Sequence, residues 1–168
     1  MKRHFTSTGF VVDGRRTLLH WHKRLEQWMP PGGHIEPDED PVQAVLREIE
    51  EETGLVAEVI TTQQAGTFKY PEQLPAPHTI LIEDIAGPGE PHKHIDMIYF
   101  CRAVGRSEVL FAADETLRWV TDDELKAAKA LDVAGCGLSV RVPDDVCELA
   151  LMAIDAGRLV EESSRTRP

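Results

Sequence analysis

The sequence predicts a single α/β domain in which helices pack against a central mixed β-sheet. A length of 168 residues suits one hydrophobic core better than two. Segments rich in β-branched and aromatic residues stand both before and after a sharply bounded helix, an order typical of layered α/β folds. The chain contains no repeat and no low-complexity linker. We therefore expect one domain over residues 1–160 and a flexible C-terminal tail over residues 161–168.

The chain begins with two predicted strands, over residues 5–12 and 17–21, and the Asp13-Gly14 pair between them favours a hairpin turn. Residues 28–33, Trp-Met-Pro-Pro-Gly-Gly, are expected to form a rigid loop. The remaining expected elements are strands over 57–68, 78–85, 95–103 and 117–120, a helix over 122–130, and an amphipathic helix over 143–156 that points Val146, Leu149 and Ile154 toward the core.

Both ends of the helix predicted over residues 40–53 are marked in the sequence. Asp40 suits the N-cap, Pro41 the first helical position and Gln43 the third, which together make a capping box. Gly54 follows the last periodic residue and fits the left-handed position that ends many helices. Apolar residues at helical spacing form one face of this helix, which we expect to pack on the sheet.

Glutamates gather beside that apolar face. At roughly 100° per residue from Arg47, the side chains of Glu51, Glu48 and Glu52 fall at roughly 40°, 100° and 140°, whereas Glu50 points away at roughly 300°. Like charges at this spacing destabilise a helix, and the negative end of the helix dipole adds to the cost. The pattern can be a solvated acidic face, but a divalent cation would relieve the repulsion. Oxygen ligands suit Mg²⁺, with Mn²⁺ as an alternative.

The segment from Gly33 to Leu55 resembles the signature of the Nudix hydrolases at every position. It reads Gly33, five residues, Glu39, seven residues, Arg47-Glu48-Ile49, one residue, Glu51-Glu52, one residue, Gly54-Leu55. The resemblance implies a Nudix-type α/β/α sandwich around a central mixed β-sheet. It also implies Mg²⁺-dependent hydrolysis of a phosphoanhydride bond in a nucleoside diphosphate linked to another moiety, such as a nucleoside triphosphate, ADP-ribose or a similar small nucleotide.

The same resemblance assigns roles to residues of the box. Glu48, Glu51 and Glu52 are implied as metal ligands, with the backbone carbonyl of Gly33 as a further ligand. Either Glu48 or Glu52 can instead be the base for the attacking water. Arg47 is expected to hold the glutamates in register. Two further positions, Glu39 and Gly54, are expected to be structural.

Net charge, the lack of targeting segments and the cysteine count limit the partners and the cellular location that we expect. The formal net charge is −11, which disfavours long nucleic acids and anionic membranes but leaves small nucleotides open. The sequence shows no secretory signal and no apolar run that could span a membrane, so we expect a cytoplasmic protein. Cys101, Cys136 and Cys147 are expected to be free thiols. A homodimer is possible, although no sequence patch indicates one.

Several residues outside the box are secondary candidates, each with an ordinary structural alternative. Lys23 and Arg24 can contact phosphate, in a cationic cluster with His20 and His22. His92, His94 and Asp96 have a metal-ligand spacing, but a structural or substrate-contacting role is favoured because a fourth ligand is missing. Asp96, Asp114 or Glu115 can supply a further acid. The candidates for nucleobase stacking are Trp28, Phe68, Tyr70 and Tyr99, whereas Trp21 and Trp119 are expected in the core.

Two alternatives to hydrolysis remain on the same fold. A nucleotide-sensing module would bind without turnover, although such a module is expected to lose box glutamates that this chain keeps. An enzyme of the isopentenyl diphosphate isomerase type would need a catalytic cysteine near the metal.

Overall fold

Two long strands lie side by side in parallel at the centre of the sheet: β1 (Lys2–Asp13) and β7 (His92–Ala103). This computed structural model describes residues 1–61, 70–85, 90–105 and 116–165. The other sheet strands within these ranges pair antiparallel, so the sheet is mixed, as the sequence predicts. They are β2 (Arg16–His22), β3 (Gln27–Met29), β4 (Gly32–His34), β5 (Ala57–Val59), β6 (Thr79–Ile85) and β8 (Leu117–Thr121).

The strand order runs β3-β2-β1-β7-β5, with β4 beside β1, β6 beside β7 and β8 beside β2. Alternate residues of β1 point to opposite faces of the sheet. Val11 packs with helix α1 (Pro41–Thr53) on one face, and Phe10 and Val12 pack with helix α3 (Asp144–Arg165) on the other. The sheet therefore lies between two helical layers, which confirms the predicted sandwich.

The expected elements are largely present, with differences near the C-terminus. Helix α2 covers only Asp122–Lys126, shorter than the predicted 122–130, because Ala128 adopts a positive φ of 47° and Ala130 already belongs to a strand. The hairpin of β9 (Ala130–Val133) and β10 (Leu138–Arg141) was not predicted. Residues 28–33 were predicted as loop but contain parts of β3 and β4.

The last helix is longer than its sequence pattern indicates. It was expected to end at residue 156 with a tail from 161, but α3 continues to Arg165. Its first half is amphipathic as predicted, with Val146 and Ile154 buried and Leu149 packed against the same core. Of the strand predicted over 57–68, Ala57–Val59 is a strand, and residues 62–69 lie outside the described ranges. No helix in the described part of the chain is long and apolar enough to cross a membrane.

Candidate active site

Helix α1 has a capping residue at each end and packs closely against β1. The Asp40 side chain accepts hydrogen bonds from the backbone N–H groups of Val42 and Gln43, at 2.8 and 2.9 Å, and completes the predicted capping box. Gly54 ends the helix with a φ of 69°. Gly9 of β1 permits the close approach, since a Cβ there would lie 2.7 Å from Cδ1 of Ile49. The helix is thereby fixed both along its axis and against the sheet.

The glutamates of α1 meet the glycine pair of β4. A Cβ on Gly33 would lie 2.5 Å from Cδ of Glu48, so a side chain here would displace this carboxylate. The backbone N–H of Gly32 donates to Oε2 of Glu52 at 3.0 Å. Glu51 is largely exposed at the same end of the helix. The strand and the helix thus bring the glycine backbone and the carboxylates of Glu48 and Glu52 together.

Arg47 connects the glutamates to the segment ahead of the helix. Its guanidinium makes a two-pronged pair with Glu39, at 2.6 and 3.0 Å, and also donates to Glu48 Oε1 at 2.8 Å and to Glu51 Oε2 at 3.2 Å. A fifth bond, 3.1 Å long, reaches the backbone carbonyl of His34. These bonds raise the pKa of Arg47 and lower the pKa of Glu39. Because the fork is planar, it fixes the orientation of its carboxylate partners.

The cluster carries more negative charge than its own cations neutralise. Arg47 is shared among three carboxylates, and among the described residues the basic side chain that pairs with Glu52 is the imidazole of His20, with Nε2 at 3.9 Å. Burial, followed by the charges of Glu48 and Glu51, raises the pKa of Glu52 to about 6. A divalent cation with a preference for hard oxygen ligands fits this donor set.

The part of the chain that carries this geometry also matches a known family model. The model of the NUDIX domain matches residues 2–135. The chain belongs to the Nudix family. Among solved structures, a hydrolase of the NUDIX family from Clostridium perfringens aligns with a TM-score of 0.68 and 25% identity, covering 92% of this chain and 98% of that one.

Curated relatives match the Nudix domain over shorter stretches. An RNA pyrophosphohydrolase from Thioalkalivibrio sulfidiphilus is 33% identical over 79 residues, which cover 44% of this chain and 46% of the relative. An asymmetrical bis(5'-nucleosyl)-tetraphosphatase from Sus scrofa is 43% identical over 44 residues, covering 26% of this chain and 30% of the relative. The matched region therefore spans less than half the length of these curated relatives.

The cationic cluster predicted ahead of the Nudix box divides in the structure. His20 lies on the α1 face of β2 beside Glu52, while Trp21 points into the opposite core, as the alternation predicts. Lys23 and Arg24 are exposed in the turn between β2 and β3. Contact of Lys23 or Arg24 with phosphate stays a prediction. The proximity of His20 to Glu52 was not predicted, since it depends on how β2 and α1 pack.

Of the three aromatic candidates for base stacking that the structure describes, two are buried. Trp28 and Tyr99, at 1% and 2% exposure, lie in the core, so their assignment as exposed stacking residues is wrong. Trp28 packs edge-on against Trp21, with ring centroids 5.5 Å apart. Tyr70 is 90% exposed and remains a candidate, and Phe68 lies outside the described residues.

Asp96 lies on the face of the sheet opposite α1. Its carboxylate is buried and accepts hydrogen bonds from Thr6 Oγ1 at 2.9 Å and Thr8 Oγ1 at 2.8 Å. Burial raises its pKa despite these bonds. This position argues against Asp96 as a ligand shared with the box glutamates. The other two late acids, Asp114 and Glu115, lie outside the described residues.

The cysteines give the isomerase alternative no support. Cys101 is buried in the core behind α1, where burial raises the pKa of its thiol to about 12. Cys136 follows strand β9, and the Cys147 thiol on α3 lies 3.5 Å from the carbonyl of Leu125. None of the three contacts the glutamates in the described structure. All three are free thiols, as the sequence predicts.

Proposed function

We propose that the protein is a Mg²⁺-dependent hydrolase that cuts a phosphoanhydride bond in a small nucleotide, a nucleoside diphosphate linked to another moiety. The observation that carries the proposal is the convergence of Glu48 and Glu52 on the Gly32-Gly33 pair. The names of the curated relatives, an RNA pyrophosphohydrolase and a bis(5'-nucleosyl)-tetraphosphatase, support cleavage between phosphates. Mn²⁺ is expected to replace Mg²⁺, because both prefer oxygen ligands.

The residues that would hold the cation are Glu48, Glu51, Glu52 and the backbone carbonyl of Gly33. When bound, the cation supplies neutralisation of the charge on the phosphate oxygens during displacement at phosphorus. Arg47 positions Glu48 and Glu51 through its hydrogen bonds, so it acts as a positioning residue. Glu39 anchors Arg47 from the loop ahead of the helix.

Glu48 and Glu52 are the two candidates for the base that takes a proton from the attacking water. Oε1 of Glu48 is already engaged by a hydrogen bond from the guanidinium of Arg47. Within the described residues, Glu52 accepts a hydrogen bond from the neutral backbone N–H of Gly32. A carboxylate that is unprotonated at neutral pH and held in place suits proton transfer. Comparing Glu48→Gln with Glu52→Gln distinguishes the roles, since loss of the base lowers kcat even at saturating Mg²⁺.

Charge and exposure support a small nucleotide as the proposed substrate. A net charge of −11 disfavours a long RNA, whose backbone phosphates require neutralising Lys and Arg. A small nucleotide needs only local neutralisation. The exposed Tyr70, Lys23 and Arg24 are proposed contacts for the base or the distal phosphates.

A nucleotide panel tests the proposal. Nucleoside triphosphates, ADP-ribose and dinucleoside polyphosphates are incubated with the protein and Mg²⁺ or Mn²⁺, and both products are identified by mass spectrometry. We expect metal-dependent release of a nucleotide and a second phosphorylated product from at least one member. Binding of a nucleotide without turnover in either metal would instead indicate the sensing module.

A further inference from the structure

Four of the seven histidines come together on the side of the sheet opposite the glutamates. His4 lies on β1, His34 on β4, and His92 and His94 on β7. The parallel pairing places His4 directly beside His94, and the β1–β4 pairing places His34 opposite Thr6, on the same face. Ring centroids are 4.7 Å apart for His4 and His92, 5.1 Å for His92 and His94, and 5.0 Å for His34 and His94.

Three of these imidazoles are arranged like the ligands of one metal ion. One ring nitrogen from each of His4, His92 and His94 lies within 4.8 Å of the others. Nitrogen ligands of zinc lie about 2.0–2.1 Å from the ion, so no two of them can be more than about 4.2 Å apart. Small rotations of these half-buried side chains would bring the three nitrogens within that separation. The sequence alone suggested His92, His94 and Asp96. In the structure the Asp96 carboxylate is bound by Thr6 and Thr8, and the fold supplies His4 instead.

The protonation pattern of the cluster suits metal binding. Nδ1 of His92 lies 3.0 Å from the carbonyl oxygen of Glu90, and only a protonated nitrogen can donate there, so in the neutral ring Nε2 carries the lone pair. Such a bond from the second nitrogen to a carbonyl is the usual support for a metal-bound histidine. Nε2 of His94 is buried with no hydrogen-bond partner within the described ranges. Burial and the neighbouring imidazoles lower the pKa of His94 to about 4, which keeps it neutral.

We propose that His4, His92 and His94 bind one late first-row divalent cation such as Zn²⁺, at a site separate from the glutamates and with a fourth position open. His34, whose Nε2 lies 3.2 Å from Nδ1 of His4, orients His4 from outside. Imidazole favours zinc over magnesium, whereas carboxylates favour magnesium, so the two sites select different ions. The proposal does not depend on the proposed hydrolysis.

Calorimetric titration of the full-length protein with Zn²⁺ in saturating Mg²⁺ tests the site. We expect one Zn²⁺ per chain, and a loss of affinity of at least about tenfold in His92→Gln and in His94→Gln. His78→Gln is the matched control, because His78 is exposed and stacks on Phe100 away from the cluster. Its affinity should equal that of the unsubstituted protein. Glu52→Gln should also retain the Zn²⁺ affinity. This variant removes the competing site that His20 and Glu52 could form.

A second measurement needs no substitution. In ¹⁵N-imidazole NMR spectra of the unsubstituted protein, Zn²⁺ should shift the signals of His4, His92 and His94 and leave those of His20 and His78 unchanged. Absence of stoichiometric binding in excess Mg²⁺ would overturn the proposal. Binding that survives both His92→Gln and His94→Gln but disappears in Glu52→Gln would also overturn it, by placing the ion at the glutamates.

Discussion

Replacing Glu52 with glutamine is expected to make the metal-free protein more stable at neutral and alkaline pH. The carboxyl of Glu52 has a pKa raised to about 6 by burial and by the charges of Glu48 and Glu51, against an ordinary value of 4.5. The unfolded chain therefore releases this proton at lower pH than the folded protein does. The stability associated with protonated Glu52 is fully present below pH 4.5 and is lost as the pH rises through 6.

The magnitude follows from the two pKa values. One pKa unit corresponds to about 1.4 kcal/mol, so the charge of Glu52 costs the metal-free fold about 2 kcal/mol well above pH 6. The side chain is 30% exposed, and solvent screening reduces the expected cost to about 1–2 kcal/mol. Glutamine keeps the shape and can still accept the bond from Gly32. For a chain of 168 residues, we expect a rise in Tm of about 2–8 °C at pH 8.

Thermal unfolding in EDTA at pH 8 and pH 5 measures the effect, with Glu50→Gln as the control on the exposed side of the same helix. The gain from Glu52→Gln should be larger at pH 8 than at pH 5, while Glu50→Gln should change Tm little at either pH. In saturating Mg²⁺ at pH 8, the unsubstituted protein should instead have a higher Tm than Glu52→Gln, because bound Mg²⁺ stabilises it more. A Glu52→Gln protein no more stable than the Glu50→Gln control at pH 8 would refute this electrostatic reasoning.

Three further substitutions test how the site is built. Gly33→Ala should displace the Glu48 carboxylate, because the added Cβ would clash with it. We expect turnover to fall by about 100-fold in a Mg²⁺ titration of hydrolysis. An unchanged titration would contradict the close approach of Glu48 to Gly33. Arg47→Lys should raise the Mg²⁺ concentration needed for half-maximal turnover, because lysine cannot keep both the paired bonds to Glu39 and the bond to Glu48. An unchanged Mg²⁺ requirement would contradict the role of Arg47 in positioning the glutamates. Asp40→Ala should lower Tm by about 2–4 °C, for a cap worth about 1 kcal/mol, with kcat nearly unchanged, and equal Tm values would show that the cap contributes nothing.

Local features of the sequence predicted the central part of the site. The ends of α1 depend on Asp40 and Gly54, and the grouping of its glutamates depends on helical periodicity, so neighbouring residues were sufficient. Helix α2 was overextended because no glycine or proline marks its end. The β9–β10 hairpin could have been found from the alternation of Leu131 and Val133 before a glycine-rich turn.

Features set by distant contacts were not predicted. The burial of Trp28 depends on its packing against Trp21 and on the α3 side of the sheet. This packing is not apparent from the Pro- and Gly-rich sequence of residues 28–33, which is typical of a loop. His4 joins His94 only through the parallel pairing of β1 and β7. Such pairings between remote segments leave no mark in local composition.

Mg²⁺-dependent turnover of Glu52→Gln, measured beside Glu50→Gln on the best substrate of the panel, tests most directly whether the box glutamates form a catalytic metal site. Both variants remove one carboxylate charge from the same helix, but only Glu52 lies against Gly32. We expect Glu52→Gln to lose at least about 100-fold in kcat while folding normally, and Glu50→Gln to keep nearly full activity. Near-normal Mg²⁺-dependent turnover in Glu52→Gln would contradict the assignment of the glutamates as the metal site.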